Sequence, residues 1–306
     1  CLFTRAGMDA VRAQTAALGA GLVFLALPGH SEAVAWIGAR ADLLATAGVL
    51  TALAAWPAIA ETGRAGAGAL FLAGVAAALT AKENAVMLPA LLVLYAALTV
   101  ARSSQRVPAL KRAAAGAGAT LVLTAAFWSV RAWVLGDWVG GYGSDHLTFF
   151  PGRVLGQWLT VAVRLWMPPL PPAWSAGPVV PILLALAALG VSAVLVRAGL
   201  AAKRDAANRV PLGVLLGVFA AFTLSVAPIV GLPLAWDGVG EERHYYLPSV
   251  FAVWGVFWAA AACVRDFRTL RNASLLAACI GTVLLQPSLM TWRGAGRLCR
   301  DLPMQL

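Results

Sequence analysis

Ala65-Gly66-Ala67-Gly68-Ala69-Leu70-Phe71-Leu72-Ala73-Gly74-Val75-Ala76-Ala77-Ala78-Leu79-Thr80-Ala81, then Lys82-Glu83-Asn84, then Ala85-Val86-Met87-Leu88-Pro89-Ala90-Leu91-Leu92-Val93-Leu94-Tyr95 is two apolar runs joined by three polar residues. Neither run alternates apolar with polar, so a half-buried strand is excluded and two helices remain. The first run, 66–80, is short for a bilayer, whose core takes about 20 residues of helix. Its partner resumes at residue 84, so the pair reads as a hairpin with a charged tip. A plain surface hairpin is the bland reading of that tip. Against it, loop tips favour Gly, Pro and Ser, whereas here Lys82 abuts apolar residues directly. A lysine in that setting is costly unless it faces a partner or a polar cavity.

The same pattern extends outward along the chain. Charged residues make up 12 % of the 306 residues and hydrophobic ones 61 %, against about a quarter charged in a soluble domain. Nine apolar spans are expected, at 13–29, 41–60, 66–80, 84–101, 113–135, 178–197, 210–231, 245–264 and 273–290. The fold class is therefore all-α, a polytopic transmembrane helical bundle; the missing alternation also disfavours a β-barrel. Cys1, Cys263, Cys279 and Cys299 have no metal-ligand spacing, and no disulfide framework follows. The sequence opens at Cys1 without methionine or the basic start of a signal peptide, so a natural N-terminus further upstream is expected.

Basic residues orient the spans, because cytoplasmic loops retain Lys and Arg. One set of connections holds Arg5, Arg12, Arg64, Arg102, Arg106, Lys111, Arg112, Arg197, Lys203, Arg204, Arg209, Arg265, Arg268 and Arg271. These fourteen bases face only four acids, Asp9, Glu61, Asp205 and Asp266, a surplus equal to the whole formal charge of +10. That side is assigned to the cytoplasm, and the basic balance is a topology signal with no sign of nucleic acid. The longest outer connection covers 136–177. Within it Arg153, Gln157, Thr160 and Arg164 recur at helical spacing beside Trp158, Leu159, Val163 and Trp166, the pattern of an amphipathic helix in the interface. Pro168, Pro169, Pro171 and Pro172 end it. Residues 1–290 form the membrane domain and 291–306 an extracytoplasmic C-terminal segment.

This topology puts four polar groups on the outer side. In the first, Ser31 caps a helix on which Glu32, Trp36 and Arg40 share a face, followed by Asp42; an internal ion pair in a surface loop is the alternative. Lys82-Glu83-Asn84 is the second. The third, Asp237 to Ser249, carries Glu241, Glu242, Arg243, His244, Tyr245 and Tyr246. Its tyrosines suit an interfacial belt and Arg243 suits a local ion pair, but a guanidinium also grips phosphate oxygens in two-point fashion, and near a membrane the usual anion is a lipid headgroup. Tyr142, Asp145 and His146 in the long loop are the fourth group, either substrate contacts or simply solvated.

Three of these stretches resemble, in order, the motifs of the C-type membrane glycosyltransferases (the GT-C fold). They are His30-Ser31-Glu32-Ala33-Val34-Ala35 with Gly38-Ala39-Arg40-Ala41-Asp42-Leu43-Leu44, Ala81-Lys82-Glu83-Asn84-Ala85-Val86 with Leu88-Pro89, and Glu242-Arg243-His244-Tyr245-Tyr246-Leu247-Pro248-Ser249, joined by Thr291-Trp292-Arg293. The nearest branch is the O-mannosyltransferases that carry tetratricopeptide repeats, with their bacterial relatives. The resemblance implies transfer of a hexose such as mannose from a polyprenyl-phosphate donor to a protein or glycan acceptor, at a site facing the periplasm or exterior of a bacterial inner membrane. It implies that Lys82 and Arg243 hold the donor phosphate and that Tyr246 lines the lipid groove. Glu32, Arg40, Asp42 and Glu83 would shape the sugar pocket or bind a divalent cation, with Glu242 and His244 beside them, and His30 would position the acceptor. The family's acidic catalytic residue precedes a span that would lie upstream of Cys1, so no residue here matches it. His244 also stands where the family more often has tyrosine. A transporter or lipid-linked sugar flippase is the rival reading, although such proteins place coupling groups near the midplane and the charges here lie at one face. A non-catalytic descendant of such an enzyme is the third.

Overall fold

In the computed structural model the described residues are 9–100, 106–136, 151–168, 209–232, 241–263 and 266–301, with helical backbone at some positions between 178 and 196. Every regular element among them is helical. The helices are α1 Ala10–Leu25, α2 Ser31–Ala35, α3 Arg40–Thr62, α4 Ala65–Ala81, α5 Leu88–Val100, α6 Arg106–Leu135, α7 Pro151–Arg164, α8 Arg209–Val226, α9 Tyr246–Cys263 and α10 Phe267–Asp301. Four short 3₁₀ segments, Pro28–His30, Ile37–Ala39, Glu83–Met87 and Glu242–Tyr245, complete the order.

Helices therefore lie at eight of the nine expected spans, and 178–197 is described only at scattered positions, nearly all of them helical. Three of them are long and apolar enough to cross a membrane: Ile37–Thr62, Val107–Leu135 and Phe267–Arg297. A fourth crossing is made if Ala10–Leu25 and Pro28–Ala35, bent by 62°, form one broken span. The chain is thus an all-helical protein with several membrane-length helices. α6 and α10 leave Val122, Val283 and Ile280 exposed, the surface expected of helices whose outer neighbour is lipid.

The core runs through α1, α3, α4, α5, α8 and α9, around Trp56, Leu88, Leu92 and Tyr245, all fully buried. α3 and α4 make the most extensive helix pair. Their hydrophobic side chains have no preference for each other over lipid, so close approach of the backbones supplies the packing. A Cβ at Gly74 would stand 2.8 Å from Ala52 N and Gly48 O. Only glycine fits there.

The departures from helix gather where the polar motifs lie. Pro28 starts the first 3₁₀ turn, as suits a residue with no N–H to leave unmet. Lys82 is extended (φ −160°, ψ 146°) and separates α4 from the Glu83–Met87 turn. Glu241 holds a left-handed conformation (φ 70°) just before the Glu242–Tyr245 turn. α10 continues unbroken through Trp292 and Arg293 to Asp301, so the start of the 291–306 segment prolongs that helix. One expectation needs correction. The amphipathic helix in the outer loop exists as α7, but the end of its polar face turns inward, with Thr160 and Arg164 buried.

Adding only a methyl group separates the packing role of Gly74 from helix propensity. G74A should lower the melting temperature of the detergent-solubilised protein, by the ~1–3 kcal/mol typical of overpacking. G68A, on the same helix with open space around it, should leave the temperature unchanged or raise it slightly.

Candidate functional site

Two dipeptides distant in sequence face each other at the centre of the polar region. Ser31 Oγ donates to Glu242 Oε2 at 2.5 Å. In the crossed sense, the backbone N–H of Arg243 donates to Glu32 Oε2 at 2.9 Å and its guanidinium donates to Glu32 Oε1. Ser31–Glu32 begins α2 and Glu242–Arg243 begins the last 3₁₀ turn, so the pairing joins the entries of two helical layers. The Arg243 guanidinium lies 4.9 Å from the centre of the Trp36 ring, a cation–π contact that restrains its plane.

Glu242 takes a second charge from α7: Arg164 Nη2 approaches its Oε1 at 3.2 Å, and both side chains are wholly buried. Arg164 Nη1 also donates to the Met167 carbonyl at 3.2 Å. Gly29 makes this approach possible, since a Cβ there would stand 3.0 Å from the Cα of Leu165. Burial pushes the Glu242 carboxyl up from its ordinary 4.5 to about 7, against the downward pull of the Ser31 hydroxyl and Arg164.

The hairpin tip supplies the third part. Lys82 Nζ pairs with Asp42 Oδ2 at 2.5 Å, and Asp42 also lies within electrostatic reach of Arg243 and Glu83. Lys82 and Arg243 keep 13 % and 16 % of their side-chain exposure, whereas Arg164 keeps none. The first two are cations that a ligand can reach, and Arg164 is not. His244, 5 % exposed, is driven down to about 3 by burial and by the charges of Lys82 and Arg243.

Lys82, Arg243, Glu32, Asp42, Glu83, Glu242 and His244 are thus brought together. Arg40 stands exposed at the start of α3. His30 is placed unlike an acceptor-binding group: it is 3 % exposed, hydrogen-bonded to Ser249 Oγ at 2.7 Å and packed between Phe24 (4.5 Å) and Tyr246 (4.3 Å). Tyr246 is half-buried against the rings of Phe24 and His30. Tyr142, Asp145 and His146 lie outside the described residues. No group of three His, Cys, Asp or Glu side chains suited to a metal occurs among the described residues. Arg164 is the buried residue that spacing alone misassigns, as a polar-face residue of an interfacial helix; the signal against that reading was its position between Val163 and Leu165, ahead of the prolines.

Beside Arg164, within one turn of α7, an apolar cavity of about 290 Å³ opens between α7, α8 and α9. Trp158, Trp166, Phe219, Phe222 and Phe251 line it. No protein-family model matches this chain, and neither does any curated protein or solved structure.

Two measurements check the buried pair. R164M leaves Glu242 buried and uncompensated and should destabilise the protein by ~3–5 kcal/mol, whereas R164M with E242M should recover most of that loss. Because the folded carboxyl titrates higher than the unfolded one, the folded state binds the proton more tightly. The contribution of Glu242 to stability should therefore be fully present below pH 4.5 and be lost as pH rises to about 7. In E242Q, thermal denaturation across that range should lose this slope.

Proposed function

We propose that this chain is a membrane glycosyltransferase of the C-type fold that moves a hexose from a polyprenyl-phosphate donor to a protein or glycan acceptor on the non-cytoplasmic side. The observation that carries this reading is the convergence of three stretches far apart in sequence on two reachable cations, Lys82 and Arg243, each held by a carboxylate, Asp42 and Glu32. Breaking the bond between a sugar and a lipid phosphate builds negative charge on the leaving oxygen. Positioned cations that need no rearrangement stabilise that charge best. Trp36 and the two-point contact to Glu32 restrain Arg243, and Asp42 restrains Lys82.

The aromatic cavity between α7, α8 and α9 suits the same reading, because an isoprenoid carrier needs an apolar berth. The full set of nine crossings, with the site at their outer ends, belongs to this proposal, and so does its inner-membrane location. Glu83 and Asp42 are the carboxylates nearest to Lys82 for contacts to sugar hydroxyls or to a divalent cation. The transporter reading draws less support, since the paired charges lie at helix entries and breaks rather than in the middle of α3, α6 or α10.

Transfer of radiolabelled hexose from a polyprenyl-phosphate donor, measured in nanodiscs with the full-length protein, tests the assignment. K82A and R243A should each reduce turnover by at least about tenfold, as expected for loss of one charge-assisted contact. Unchanged turnover in both variants rejects it.

A further inference from the structure

Most polar side chains in the buried network have a partner, and His244 does not. Its Nδ1 is buried and makes no hydrogen bond within the protein, although the residue is only 5 % exposed. Buried polar atoms are rarely left without a partner, and one that is calls for a specific explanation, such as a ligand. Among its neighbours in sequence, Glu242 is held by Ser31 and Arg164 and Arg243 by Glu32, whereas the buried Tyr245 hydroxyl, like His244 Nδ1, makes no hydrogen bond within the protein.

We infer that the His244 imidazole is a specificity-determining contact to a phosphate anion, its buried Nδ1 donating a hydrogen bond to a phosphate oxygen held at Lys82 and Arg243. This inference rests on the phosphate reading of those two cations and adds a third contact to it. His244 follows Arg243 in the same 3₁₀ turn, and the charges of Lys82 and Arg243 both reach the ring. Burial first, and those two charges second, keep the imidazole neutral, and a neutral imidazole carries one N–H, whose position is set by the hydrogen bonds available to each nitrogen. An anion between Lys82 and Arg243 would fix that proton on Nδ1. Neutrality also has a chemical use: the ring contributes direction without adding a third positive charge that would hold the phosphate too tightly for release. The shared chemistry is a phosphate monoester or diester, which a lipid carrier or a free phosphate can supply.

The test uses the full-length protein in nanodiscs of uncharged phosphatidylcholine. Binding of citronellyl phosphate, inorganic phosphate and the uncharged alcohol citronellol is measured by calorimetry for the wild type, H244F, H244N, K82A and R243A. H244N is the informative variant, because its side-chain amide places an N–H near the position of Nδ1, whereas H244F keeps the bulk and loses the donor. H244F should weaken citronellyl phosphate binding by about tenfold or more, H244N should stay within about threefold of wild type, and citronellol should bind all five proteins alike. Nitrogen-15 spectra of the wild-type histidines should show one imidazole gaining a hydrogen-bonded Nδ1–H on adding the phosphate ligand, a signal that H244N lacks and that does not depend on the folding of H244F. Binding of citronellyl phosphate alone identifies a lipid headgroup as the anion, and equal binding of inorganic phosphate identifies the free ion; both fit the inference. If K82A and R243A weaken binding but H244F does not, or if H244N fails as badly as H244F, His244 is no ligand and only this inference falls. If the wild type binds neither phosphate, or K82A and R243A bind as it does, the phosphate reading falls as well.

Discussion

The polar region depends on a crossed pairing of two dipeptides: Ser31 with Glu242, and Glu32 with Arg243. Each carboxylate is nearly or fully buried. Moving such a charge out of water costs several kcal/mol even after relaxation, and a single partner rarely offsets it. Both carboxylates here have two. Glu32 receives a guanidinium and a backbone N–H, and Glu242 receives a hydroxyl and a second guanidinium from α7. Because two adjacent rungs join the same two stretches, residue 31 cannot shift without carrying 32, and 242 cannot shift without 243. The entries to α2 and α9 are thereby locked in one register.

Arg164 extends this lock to a third segment. Without it α7 would be an amphipathic helix free to lie anywhere in the interface, and nothing in its own sequence fixes its depth or roll. The ion pair to Glu242 and the close approach at Gly29 set both. The apolar cavity then follows, since Ala162 and Trp166, on either side of Arg164, form part of its wall against α8 and α9. One buried charge on Glu242 thus positions both the polar cluster and the greasy one.

These relations divide what sequence can and cannot tell. Helix positions were legible because apolar runs of Ala, Leu and Val leave no other regular structure, and the observed helices cover eight of the expected segments. Lys82 was legible because a charge beside apolar residues is costly and so must be answered. Its partner, Asp42, was grouped with the site but not paired with it, because the two lie 40 residues apart and no local rule links them. Arg164 was misread for the same reason: helical spacing gives the face of a helix, whereas the face turned inward depends on Glu242, 78 residues away. His30 was given an acceptor role by resemblance alone, which carries no information on its burial. The rings of Phe24 and Tyr246 that enclose it come from two other elements. The end of α10 was placed at 290 because hydropathy stops there, but a helix continues while its backbone bonds are met.

The two partly buried cations, Lys82 and Arg243, are held differently, and the difference bears on what they can do. Arg243 is restrained in position by Glu32 and in plane by Trp36, and a guanidinium so fixed presents its donors in one orientation. Lys82 is tethered at one point by Asp42 on a flexible stem, and an ammonium has three rotatable donors. A rigid fork beside an adaptable point charge suits an anion whose shape is constant but whose distance from the site changes as a bond breaks. Arg243 can set the orientation while Lys82 follows the moving charge. Had both been unpaired, each would reorganise when an anion arrived, and that reorganisation would be subtracted from any stabilisation gained. Pairing them with buried carboxylates weakens their long-range pull but leaves them already in place, which is the condition under which electrostatics favours a transition state over a ground state.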